Sequence, residues 1–64
     1  MIRVPVPPEM LRWACERAGH NEAHITVRIP QFPAWVRRER HPTLKQLEKL
    51  AKVTHTPLGY LISS

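Results

Sequence analysis

At 64 residues with a single cysteine, the chain has room for one small domain and no internal disulfide. So short a chain buries only about 60% of the surface it exposes when unfolded, so its stability margin is narrow. A net charge of +5 points toward an anionic partner. No run reaches the length of a membrane span, and the N-terminus lacks a charged-then-apolar signal pattern. With the lone Cys15, this composition reads as a domain of the reducing cytoplasm.

Residues 1–8 place Pro5, Pro7 and Pro8 among Val4 and Val6. Proline fixes φ and restricts the residue before it, so this stretch is expected to be an extended arm. Pro8 suits the first position of the helix that follows, and Glu9 suits the helix dipole. The helical core is expected over residues 9–62, giving one domain over 1–64.

Helix one is predicted from Glu9 to Ala18, with Leu11, Ala14, Cys15 and Ala18 on one face and Gly19 ending it. On that stripe Cys15 reads as a core residue, not a nucleophile. Asn21 is the expected N-cap of helix two, which runs to about Ile29 before Pro30 stops it. Its β-branched residues Thr26, Val27 and Ile29 have poor helix propensity, so packing must hold it. Helix three is expected from Gln31 to Arg38, with Phe32, Trp35 and Val36 as core plugs. Helix four is expected from Thr43 to Thr54, opened by a capping box of Thr43 and Gln46. Leu44, Leu47, Leu50 and Ala51 form its buried face; Lys45, Lys49 and Lys52 face water. Thr56-Pro57 opens a short fifth helix containing Leu58, Tyr60, Leu61 and Ile62. The expected architecture is an all-α, compact five-helix bundle. Its predicted core includes Leu11, Ala14, Ala18, Ile25, Trp35, Leu44, Leu47, Leu50, Ala51 and Leu61.

The charge is uneven. Residues 37–52 hold six basic and two acidic side chains, net +4, whereas residues 1–36 hold four and three, net +1. Arg37, Arg38 and Arg40 crowd the turn before Pro42-Thr43, accompanied only by Glu39. A basic patch confined to part of a small domain is the footprint of a nucleic-acid binder, although a solvated helix face explains composition alone about as well. His20 and His24 stand at i,i+4, the spacing of two zinc ligands on one helix face. The metalloprotease pattern requires Glu directly after the first histidine, and Asn21 stands there. No third ligand is close in sequence, so no metal or other cofactor is expected.

Leu11, Ala14 and Ala18 before Gly19, Trp35 before a basic turn, Pro42-Thr43-Leu44 with Gln46-Leu47, Leu50-Ala51, and Pro57 with Tyr60-Leu61 carry a resemblance. Together they resemble the phage-repressor-like (λ-repressor-like), xenobiotic-response-element helix-turn-helix family, over nearly all of residues 8–62. The stretch from Pro30 to Leu61 is most similar to a branch in which the domain precedes a zinc-peptidase domain or acts as an antitoxin-like regulator. The resemblance implies a bacterial or phage-encoded DNA-binding regulator whose second helix crosses the DNA backbone and whose third enters the major groove. Carried over by position, Gln31, Ala34 and Arg37 lie toward the groove, while Arg38, Arg40 and Lys45 grip phosphates and Asn21 takes another. The implied partners are double-stranded DNA and a second copy in a homodimer, with a toxin or C-terminal peptidase domain as a further candidate. Val36 and Arg38 stand where the family pattern has Glu and Gly. A turn with φ > 0 is then expected to cost Arg38 something like 1 kcal/mol.

The competing reading is a degenerate helix-turn-helix that serves as a protein-interaction or dimerisation module. Val36 and the short third helix favour it; the cations favour DNA. An enzyme ranks third, because no nucleophile–base pair or carboxylate dyad is visible.

Overall fold

Prolines and capping groups set where the helices begin in the computed structural model, which describes residues 2–62. Pro8 occupies the first turn of α1 (Pro8–Arg17), where a missing N–H leaves nothing unsatisfied. Asn21 caps α2 (Glu22–Arg28), its side-chain oxygen accepting from the His24 amide at 2.7 Å. Pro33 lies in the first turn of α3 (Phe32–Val36). The capping box at α4 (Leu44–Thr54) is complete: the Gln46 amide donates to Thr43 Oγ1 at 3.2 Å, and the Thr43 amide donates to Gln46 Oε1 at 2.8 Å. The last helix, α5, is Leu58–Ile62. Helix three is shorter than expected, because Gln31 and Arg37 fall at its two ends.

Three helices end in the same way. After α1, the His20 amide donates to Cys15 O and the Gly19 amide to Glu16 O, both at 3.0 Å. After α3, the Glu39 amide donates to Ala34 O at 2.9 Å and the Arg38 amide to Trp35 O at 3.2 Å. After α4, the Thr56 amide donates to Ala51 O at 2.9 Å and the His55 amide to Lys52 O at 3.3 Å. Each is a Schellman closure, which requires one residue in the left-handed conformation. Those residues are Gly19 (φ 76), Arg38 (φ 60) and His55 (φ 53), and only the first is glycine.

In the bundle, α2 packs on α3, α4 packs on α5, and α1 touches all four of these helices. Leu11, Ala14, Ile25, Phe32, Trp35, Leu47, Leu50 and Leu61 are almost wholly buried around it. Two members of the predicted core are placed differently. Leu44 is 44% exposed, because it is the first residue of α4 and meets the N-terminal arm at the bundle edge. Ala18 is half-buried, since α1 has already ended at Arg17. Cys15 and Phe32 are buried as expected, and Val6, Ile29 and the hydroxyl residues Thr54 and Thr56 join the interior beyond the expected set. Thr54 tolerates burial because its hydroxyl donates to Leu50 O at 2.8 Å and lies 2.9 Å from Thr56 Oγ1. Burial, with Glu22 and Glu16 nearby, pushes the Cys15 thiol up, so it stays neutral at neutral pH and acts as a packing group.

The N-terminal arm is extended but not free. The Val4 amide donates to Pro42 O at 2.8 Å, Arg3 pairs with Thr43 in an isolated antiparallel bridge, and Val6 enters the core. Among the described residues there is no strand beyond that bridge, and no helix is long and apolar enough to cross a membrane.

Replacing Leu47, fully buried against the bundle, with alanine is expected to cost about 2–5 kcal/mol. Thr43→Ala, which opens the capping box, is expected to cost about 0.5–2 kcal/mol. Urea denaturation measures both, and a Leu47→Ala protein as stable as the parent would contradict this packing.

Candidate nucleic-acid interface

The sequence Phe-Pro-Ala-Trp-Val of α3 brings no hydrogen-bonding side chain to its surface except the Trp35 indole, and that ring is buried. Phe32 and Trp35 turn inward and meet edge to face, with ring centroids 6.0 Å apart. Ala34 is half-buried, and its carbonyl already accepts from the amides of Glu39 and Arg40. The polar groups available around α3 are therefore Gln31 and Arg37, one at each end and both exposed. Gln31 makes no capping bond with its side chain. Arg37 pairs with Glu39 at 3.2 Å, and both side chains are more than half exposed. Such a surface pair contributes roughly 0–1 kcal/mol, weak enough for a competing anion to displace.

Past α3, the Schellman closure points the next cations outward. Arg38 and Arg40 are exposed and form no ion pair among the described residues. Together with His41 they rim a hollow of about 250 Å³ whose walls include Pro5, Pro7 and Trp35. The arm contributes a cation that sequence reasoning missed: the Arg3 guanidinium donates to His41 O at 2.9 Å. Its only signal in the sequence is the alternation of Val4 and Val6, which puts Arg3 on the opposite side of an extended strap from Val6's buried face. Arg3, Arg38 and Arg40 thus converge on the turn that links α3 to α4.

The remaining sequence-predicted residues lie elsewhere. Lys45 is exposed on the first turn of α4, beside Ile2, Val4 and Leu44. Asn21 lines a separate hollow with Arg12, Glu16, His20 and Val36, and its side-chain oxygen is already occupied in capping α2. The turn around Arg37, Arg38 and Arg40 and the Asn21 hollow are two distinct places. The His20 and His24 rings meet at a 41° tilt with centroids 4.5 Å apart, and no group of three or more His, Cys, Asp or Glu side chains able to hold a metal occurs among the described residues.

What this geometry defines is a small all-α bundle with a cationic helix-linking turn pinned between the arm and the core. No family model, curated protein or solved structure matches the chain.

Arg38 holds a left-handed conformation that costs a residue with a Cβ more than it costs glycine. Arg38→Gly is expected to raise unfolding stability by about 0.5–1 kcal/mol while removing one cation from the turn. A lower melting temperature for that variant would mean that the Arg38 side chain stabilises the turn more than its backbone strains it.

Proposed function

We propose that this domain is a DNA-binding transcriptional regulator of the phage-repressor-like helix-turn-helix type, acting as a repressor or antitoxin-like protein in the bacterial cytoplasm. It works by binding and carries out no chemistry. The observation that supports this best is the convergence of Arg3, Arg38 and Arg40 on one ordered turn with no acidic partner among the described residues. Phosphates are the ligands such a turn suits, because neutralising them releases counterions from the duplex. In this reading α3 approaches the major groove, with Arg38, Arg40 and Lys45 on phosphates. Gln31 and Arg37 reach base edges from the ends of α3, with Ala34 between them. Asn21, at the start of α2, takes an outlying phosphate through its amide nitrogen. Because α3 itself offers apolar residues, backbone contacts outweigh base contacts, and binding is strongly salt-dependent with modest sequence preference. A toxin or a peptidase domain is the further partner this reading admits.

One observation favours a second reading, a docking module for another protein. Arg37 is engaged by Glu39, and α3 exposes little that reads a base. Duplex binding followed by fluorescence anisotropy at several salt concentrations separates the two. Arg40→Ala and Lys45→Ala are each expected to reduce the slope of log affinity against log salt by about one. Arg37→Ala is expected to cost about 1–3 kcal/mol on a site enriched from random duplexes and little on random sequence. Failure to bind any duplex at low salt would leave the docking reading.

A further inference from the structure

Glu9, Trp13 and Arg17 are all exposed and recur at intervals of four along α1, which keeps them on one face of the helix. Trp13 is 40% exposed, and Tyr60 of α5 is 56% exposed, although their rings meet with centroids 5.9 Å apart. Arg17 is fixed beside them. Its guanidinium lies 5.5 Å from the Trp13 ring centroid and donates to His55 O at 2.9 Å. Glu9 forms no ion pair among the described residues, where Arg37–Glu39 is the only one. The other charges of α1, Arg12 and Glu16, line the hollow on the side of α2, away from Tyr60. The face toward α5 is therefore an aromatic pair with a negative end and a positive end.

We propose that this face receives a second copy of the chain, with the two α1 helices antiparallel and crossing at Trp13. At 1.5 Å per residue, Glu9 and Arg17 stand about 6 Å to either side of Trp13. A two-fold axis through Trp13 then sets Glu9 of each copy against Arg17 of the other, forming two equivalent ion pairs around a central aromatic cluster. A parallel arrangement would oppose Glu9 to Glu9 and Arg17 to Arg17, so the charge order selects the antiparallel one. Tryptophan, tyrosine and arginine are the residues that most often anchor interface centres. Arg17 is already held by His55 O and the Trp13 ring, so less side-chain freedom is lost on docking. The surface uses none of Arg37, Arg38, Arg40 or Lys45, so it stands or falls apart from the DNA reading.

Sedimentation equilibrium without nucleic acid, from micromolar to millimolar protein, tests the proposal. The parent chain is expected to pass from monomer to dimer, and Trp13→Ser and Glu9→Arg are each expected to weaken self-association by about tenfold or more. Arg17→Glu should do the same. An equimolar mixture of the Glu9→Arg and Arg17→Glu proteins should associate better than either alone, because both cross-pairs are again opposite in charge. Circular dichroism establishes that each variant is folded. Arg17→Glu loses its bond to His55; if it does not fold, Trp13→Ser and Glu9→Arg, whose altered groups lie at the surface, decide the matter. A parent chain that stays monomeric to millimolar concentration overturns the proposal. So does a dimer that Trp13→Ser and Glu9→Arg leave intact, or a folded mixture no better associated than its components.

Discussion

Burial around α1 is the constraint on which the other elements depend. A ten-residue helix must present apolar contacts to four neighbours, and Leu11, Ala14 and Cys15 supply them. Ala14 and Cys15 are small, so the neighbouring backbones can come close, while Leu11 fills the space between them. In a chain this short, losing one large buried side chain removes a substantial part of a margin of only a few kcal/mol. The α2–α3 pair and the α4–α5 pair share no extensive contact of their own; α1 connects them. Helix two shows the dependence most clearly. It is rich in β-branched residues, buries only Ile25 completely, and is held by its Asn21 cap and by packing.

The turns are the second organising device. Closing α1, α3 and α4 in the same hydrogen-bond pattern lets five short helices reverse direction within very few residues. The closure after α3 also sets where the arginines of the following turn lie. It fixes Arg38 and aims the following cations outward, and the arm then pins the next part of the turn through Val4 to Pro42 O and Arg3 to His41 O. A cationic segment held at both sides has less conformational freedom to lose on meeting any ligand than a free charge run would.

Core and surface compete within α3. A helix of five residues that contributes Phe32 and Trp35 to the interior has few positions left for polar groups. The exposed polar side chains are displaced to Gln31 before the helix and to the arginines after it. That division of labour explains why the cations nearest α3 lie in the turn after it and not along its own face.

Much of this was legible in the sequence because it depends on local rules. The five helices, the Asn21 cap, the Thr43–Gln46 capping box and most of the buried stripes follow from spacing, proline placement and capping chemistry acting within a few residues. The crowding of Arg37, Arg38 and Arg40 is likewise a property of the chain alone. Only the tertiary structure decided what meets across long separations. It folded the arm onto the turn and brought Arg3 to His41, left Leu44 at the bundle edge, and buried Thr54 and Thr56 as a bonded pair. It also separated Asn21 from the arginine turn and set Trp13 against Tyr60. Helical periodicity fixes which side chains share a face, but a face acquires its meaning from the element that packs on it. For residues nearly forty positions apart, that depends on how the helices assemble.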